Sequence, residues 1–123
     1  MKKSSPKRTY IDYLLDIADS VEKIEMFMEG FALEDLRNDQ KTQYAIVRGF
    51  EIIGEATKNI PASVKHAHKD IPWKNMTTMR NKLIHEYFGV NIVVVWKTVK
   101  EDLPGLKAKI SETLEDLKVK KLL

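Results

Sequence analysis

Apolar residues recur along most of this chain at alternating spacings of three and four, the period of one helix face. From Tyr10 the stripe runs through Leu14, Ile17, Val21, Ile24 and Met28. That spacing predicts a first helix over about Thr9–Glu29, with Thr9 as its N-cap and Gly30 as its stop. A second stripe, Ile46, Gly49, Ile53, Ala56 and Ile60, predicts a helix over about Asp39–Asn59. Asn38 or Asp39 caps it and Pro61 ends it. Gly49 and Gly54 inside a helix cost about 1 kcal/mol each against alanine. Their presence points to close approach of another helix or a ligand at that face.

Beyond Pro61 the pattern predicts a short helix over Ala62–His68 and a turn at Ile71-Pro72-Trp73. A helix with Asp70 or a neighbour as cap and Pro72 in its first turn then runs to about Glu86 and stops near Gly89. Asn91 caps a last long helix whose stripe is Ile92, Trp96, Val99, Leu103, Leu106, Ile110, Leu114 and Leu117. Pro104-Gly105 interrupts it, so a kink or break is expected there. Val93-Val94-Val95 has β-propensity, but the stripe on both sides favours helix. Such stripes also suit coiled-coil association. Turn signals between all segments favour instead an all-α, up-and-down bundle of four to five helices closed on one core.

Composition agrees with that picture. The chain has 123 residues, 43% of them hydrophobic and 32% charged, with a mean hydropathy of −0.35. This suits one compact domain and excludes a wholly disordered chain. The longest strongly apolar run, Phe88 to Trp96, falls far short of the roughly 20 residues a bilayer span needs. Cysteine is absent, which excludes disulfides, thiolate metal sites and cysteine nucleophiles. Residues 1–8 read as a basic tail, 9–119 as the bundle and 120–123 as a second tail. The first residues carry no apolar signal-peptide core, so a cytoplasmic protein is expected. The net charge of +3 is too small to argue for nucleic-acid binding. Lys2, Lys3, Lys7 and Arg8, and Lys118, Lys120 and Lys121, read as solvated ends.

The segment Met76 to Gly89 carries the most chemistry. Continued backwards from Tyr87, its stripe passes through Leu83, Arg80 and Met76. Arg80 therefore stands where the pattern reserves a core position, and a guanidinium there must be paired or open onto a cleft. Asn81 and His85, four apart, share an adjacent face, so Asn81 can orient the imidazole. His85 lies about 140° around an ideal helix from Arg80, so the two do not converge within one regular helix. Arginine can grip phosphate and stabilise a pentacoordinate phosphorus. Histidine exchanges protons near neutral pH, and tyrosine stacks on bases or bonds phosphate. The set suits metal-free RNA cleavage by the adjacent 2′-hydroxyl. A lone histidine near a helix end is more often a cap or a solvent-exposed residue and an arginine on a stripe often snorkels, so spacing alone favours the structural reading.

Arg80-Asn81-Lys82-Leu83-Ile84-His85-Glu86-Tyr87 resembles the R-x4-H-x-Y motif of the HEPN ribonucleases. Gly54-Glu55-Ala56, Trp73, Met79-Arg80-Asn81 and the last helix, with Val94-Val95-Trp96-Lys97-Thr98-Val99 and Leu103-Pro104, resemble the HepT branch of that superfamily. The resemblance spans about Tyr10 to Leu117. It implies a dimeric helical bundle that brings two motifs to one cleft, the second copy supplying what one helix cannot. It further implies a metal-independent endoribonuclease toxin without a cofactor, which leaves a cyclic phosphate and a 5′-hydroxyl. The implied partners are RNA, a second copy, and an antitoxin nucleotidyltransferase of the MntA type. Carried onto this chain, Arg80 and His85 are catalytic, Asn81 is the polar neighbour of the arginine, and Tyr87 contacts substrate and receives AMP from the antitoxin.

The remaining candidates are less specific. Glu55 reads either as a cleft residue that positions Arg80 by a salt bridge or as a solvated helix residue. Tyr44 and Arg48 offer an RNA-contacting face, with a core role as the alternative for Tyr44. His66 and His68, two apart, do not share a helical face and have no further metal ligand beside them. Lys58 and Lys65 read as solvated surface, and Trp73 and Trp96 as core or dimer contacts. Two non-enzymatic readings compete with the nuclease: a partner subunit that binds nucleotide or substrate for a nucleotidyltransferase, and a structural helical adaptor.

Overall fold

The computed structural model describes residues 8–78 and 91–120. Helix α1 (Tyr10–Met28) starts from a reciprocal cap. The Thr9 hydroxyl accepts from the Asp12 N–H at 3.4 Å, and the Asp12 carboxylate accepts from the Thr9 N–H at 2.9 Å, satisfying donors that the helix leaves open. Just past its end stands Gly30 with φ +77°, a left-handed turn that glycine adopts without steric cost. Arg8 is tied to this helix, its guanidinium 2.7 Å from Asp16 and 4.6 Å from the Tyr13 ring centre.

A short helix, α2 (Leu33–Arg37), follows. The Asp35 carboxylate accepts from the Ala32 N–H at 2.7 Å and holds its first turn. Three-four periodicity does not reveal it, because five residues contain no full repeat. Helix α3 (Gln40–Lys58) is capped by Asp39, whose carboxylate accepts from the Thr42 N–H at 3.0 Å. That bond holds the Asp39 carboxyl below its ordinary pKa. The Gln43 amide donates to the Leu36 and Arg37 carbonyls, locking the end of α2 to α3.

Helix α4 (Ala62–Ala67) follows Pro61, and residues 73–78, α5, are helical behind Pro72. Asn91 caps α6 (Ile92–Lys97), accepting from the Val93 and Val94 N–H groups. The chain then takes one π-helical turn over Thr98–Asp102 and continues as α7 (Leu103–Val119). Pro104 explains the turn. It has no N–H to give to the carbonyl four residues back, and its ring would crowd that oxygen. The helix widens instead, so the Leu103 N–H reaches the Thr98 carbonyl. The interruption expected at Pro104-Gly105 is therefore a π turn placed just ahead of the proline.

Helix α1 packs chiefly on α3 and then on α7. Leu14, Ile17, Val21, Ile24 and Met28 are buried as the stripe predicts, facing Ile46, Ile53 and Ala56 of α3 and Leu103, Leu106, Ile110 and Leu117 of α7. Each large apolar side chain so enclosed contributes about 1.5–3 kcal/mol. In α6 the pattern misplaces one residue. Val95 is 1% exposed, whereas Trp96 is half-buried with the Lys100 ammonium 4.9 Å from its ring centre. The extra residue of the π turn rotates α6 against α7, which moves Val95 to the core and Trp96 to its edge. Three buried hydroxyls find partners within their helices: Thr57 donates to the Ile53 carbonyl, Thr98 to Val94 and Thr113 to Lys109. Among the described residues there is no strand, and no helix is long and apolar enough to cross a membrane. The fold is an all-α bundle.

Candidate functional site

Arg80, Asn81, His85 and Tyr87 lie outside the described residues, so the frame on either side of them defines what surrounds the motif in sequence. On the leading side, α5 is fastened to the turn before it. The Trp73 indole N–H donates to the His68 carbonyl at 3.0 Å, and the Met76 N–H donates to the Pro72 carbonyl at 3.1 Å. Ile71 is buried beneath this turn. From α7 the Lys109 ammonium donates to the Asp70 carbonyl at 2.6 Å. On the trailing side, the Asn91 cap fixes the start of α6.

A cleft of about 550 Å³ opens between α3, α5 and the start of α7. Phe50, Ile53, Met76, Leu103 and Leu106 form an apolar floor, while Asn75, Thr78, Glu101, Asp102 and Lys109 bring polar groups to its walls. The π turn supplies Thr98, Glu101 and Asp102 to one wall. Thr78 stands on another wall, and Arg80 follows it by two residues in the sequence. Two polar groups are already occupied, Lys109 by the Asp70 carbonyl and Thr98 by the Val94 carbonyl. The cleft therefore offers an apolar floor with a few polar groups at its edge. The Glu101 and Asp102 carboxylates disfavour phosphate on their side. Among the described residues no histidine lines this cleft, and no group of three His, Asp or Glu side chains is placed to hold a metal ion.

Glu55 is exposed on α3, beside buried Gly54. The Lys58 ammonium stands 4.0 Å from its carboxylate, and its backbone carbonyl accepts from the Asn59 amide at 2.9 Å. It is not on the wall of the cleft. Tyr44 is 60% exposed, which removes the core role for it. Arg48 pairs with Glu51 at 3.5 Å and borders a second groove, between α1 and α3, that includes Asp16, Lys23 and Phe27. His66 is exposed on α4 and His68 is half-buried at its end. Trp73 and Trp96 are half-buried and pack against the core. Spacing alone did not reveal the π turn as a wall of the cleft. A signal was nonetheless present in Pro104, the residue that denies the preceding turn its α-helical bond.

Comparison of the sequence with known proteins shows the family. The profile described as "Ribonuclease HepT-like" matches residues 17–113. A protein described as a probable ribonuclease HepT, from Thermococcus cleftensis, is 55% identical over 106 residues, covering 86% of this chain and 96% of its own. A putative RNase of Methanocaldococcus jannaschii is 37% identical over 115 residues, covering 94% and 95%. Another putative RNase, from Caldanaerobacter subterraneus, is 38% identical over 109 residues, covering 88% and 94%. No solved structure matches the chain. With most of its length inside the family profile and relatives aligned nearly end to end, the chain belongs to the HepT-like ribonuclease family.

Proposed function

We propose that this chain is an RNA endonuclease in which Arg80 and His85 perform the cleavage. The observation that carries the reading is the sequence Arg80 to Tyr87, an R-x4-H-x-Y motif that falls within the residues matched by the ribonuclease family. Membership of that family makes RNA the substrate class. The motif contains a single carboxylate, Glu86, so the residues offer acid–base chemistry rather than a two-metal site.

In the proposed reaction the ribose 2′-hydroxyl attacks the adjacent phosphorus. A His85 imidazole takes the hydroxyl proton as the new P–O bond forms. Arg80 binds the non-bridging oxygens and stabilises the charge of the pentacoordinate state. The P–O bond to the 5′-oxygen breaks, and that oxygen leaves with a proton donated by a second imidazole. The products are a 2′,3′-cyclic phosphate and a 5′-hydroxyl. One His85 per chain supplies one of the two proton transfers, so a dimer with two motifs at one cleft completes the set. It also answers the separation of about 140° that five residues' spacing on an ideal helix would put between Arg80 and His85. Asn81 orients the imidazole and Tyr87 holds the substrate strand, with Glu55 as a support for Arg80.

The regulatory half of the proposal is a toxin restrained by an MntA-type nucleotidyltransferase. Transfer of AMP to Tyr87 places a negative phosphodiester and a bulky nucleoside where RNA phosphate would bind, and the Arg80 charge is then satisfied by the modification.

Purified protein incubated with total and transfer RNA, with and without EDTA, tests the cleavage. Arg80→Ala and His85→Ala are each expected to lose about 10²–10⁴-fold in rate with an unchanged helical spectrum, and EDTA to leave the wild type active. End-group analysis is expected to find the cyclic phosphate. Cleavage by both variants at the wild-type rate overturns the assignment.

A further inference from the structure

Charge is strongly partitioned along this chain. Residues 8–55 hold five basic and eleven acidic side chains. Residues 56–78 hold four lysines, Lys58, Lys65, Lys69 and Lys74, against one acid, Asp70. Lys58 is shared with Glu55. Lys65, Lys69 and Lys74 make no ion pair with any described residue, and neither do Lys41, Lys97, Lys100, Lys109 and Lys118, but only the first three fall together in a stretch with a single acid.

These three lysines ride on one fastened piece of backbone. Lys65 is in α4, and the His68 N–H donates to the Val64 and Lys65 carbonyls. Lys69 follows at the turn, where the Ile71 N–H returns to the His68 carbonyl and Lys109 grips the Asp70 carbonyl. Lys74 is in α5, next to the indole that also bonds the His68 carbonyl. Lys69 and Lys74 are exposed and Lys65 is half-buried. The charges thus stand on a rigid support that leads directly, through α5, into the sequence of the motif.

We propose that Lys65, Lys69 and Lys74 form a phosphate track that holds the substrate RNA strand on the approach to Arg80 and His85. The proposal rests on the ribonuclease reading above and adds where the strand lies. Phosphate contacts position a strand without reading its sequence, which flexible ammonium groups do well. The acidic α1–α3 half repels the same backbone, so the strand is confined to the α4–α5 side. Asp70 is the one carboxylate within residues 56–78, and it blunts the charge without reversing it. Glu101 and Asp102 share the cleft with α5, so the strand lies on the side of α5 away from them.

The test replaces all three lysines by glutamine and measures both cleavage and equilibrium binding of one RNA across salt concentrations. KM and Kd are expected to rise roughly tenfold near 0.15 M salt, with the slope of log K against log[salt] shallower by about 2, while kcat at saturating RNA stays within about twofold of wild type. The Lys65→Arg, Lys69→Arg and Lys74→Arg triple variant is expected to restore wild-type binding. A control triple variant of Lys41, Lys118 and Lys120 to glutamine, which removes equal charge elsewhere, is expected to bind as the wild type does. An equal loss in the control, an unchanged slope in the track variant, or a loss of kcat without a change in KM overturns the proposal. So does intact RNA binding accompanied by a changed sedimentation mass, which would make the ridge a contact between copies. A wild type that binds RNA with the expected slope but does not cut it would overturn the nuclease reading and leave the track supported.

Discussion

Gly49 of α3 lies directly against Ile24 of α1: a β-carbon built on Gly49 would stand 2.7 Å from both Cγ1 and Cδ1 of Ile24. Ile24 is fully buried, so its side chain has little room to retreat. The glycine is therefore what lets these two helices approach. Gly49→Ala is expected to destabilise the fold by up to about 2 kcal/mol, the net of an overpacking cost of about 1–3 kcal/mol and a helix-propensity gain of roughly 1 kcal/mol. Thermal and denaturant unfolding measure it. In an Ile24→Ala background the alanine at 49 should cost less, or become favourable, a coupling of about 0.5–3 kcal/mol expected of touching residues. Additive losses in the double variant would show that this contact does not limit the helix approach.

Gly105 gives the opposite prediction. It sits in the first turn of α7, with a helical backbone and nothing within 4 Å of a built β-carbon. Gly105→Ala should raise stability by about 0.5–1 kcal/mol, mainly by narrowing the unfolded ensemble. The same residue borders the cleft, so an RNA-cleavage assay on the variant also asks whether substrate reaches that wall. A raised melting temperature with an unchanged KM would place the bound strand elsewhere.

These two glycines show how far the sequence could be read. The α1 stripe from Leu14 to Met28 was legible because long uninterrupted helices repeat one physical rule, and all five positions are buried. The close approach at Gly49 was legible as a glycine that helix propensity alone does not favour. Whether helix or ligand fills the gap was not, because that depends on which helix returns beside it. Val95 and Trp96 exchanged roles for a local reason, since one extra residue in the π turn rotates everything before it. The motif from Arg80 to Tyr87 was legible as residue types and spacing, while a facing pair of motifs is a property of two chains. Of the proposed lysine track, Lys65 reads from the sequence as solvated surface and Lys69 and Lys74 carry no signal, because the track is defined by a scarcity of carboxylates and no periodicity marks an absence.

Asp39 provides a pH test of the α3 cap. Its bond to the Thr42 N–H lowers its pKa from the ordinary 3.8, because the charged form accepts more strongly. The sign follows from linkage. The carboxylate is favoured in the folded chain, so its contribution is complete above the unfolded pKa and is lost as pH falls through the folded one, below about pH 4. The side-chain amide introduced by Asp39→Asn still caps the helix, so stability near pH 7 should change little. The difference in melting temperature between wild type and variant should shift in favour of the variant as the pH falls from about 5 to about 2.5. Parallel pH profiles for the two proteins would count against a capping role for the ionised carboxylate.

Tyr87 separates restraint from catalysis. In the proposed restraint the Tyr87 hydroxyl oxygen attacks the α-phosphorus of ATP and pyrophosphate leaves, so Tyr87→Phe removes the only atom that can form the new bond. The phenyl ring keeps the stacking surface. Tyr87→Phe should therefore cleave RNA within about tenfold of wild type, the scale of one lost neutral hydrogen bond. Incubated with an MntA-type nucleotidyltransferase and ATP labelled at the α-phosphate, wild type should take up label and lose activity. The variant should do neither. Arg80→Ala, tested alongside, should still accept label, because the arginine is assigned to the phosphate that is cleaved rather than to the tyrosine. If Tyr87→Phe is labelled and silenced as wild type is, the modification lies elsewhere and the restraint does not act through the motif.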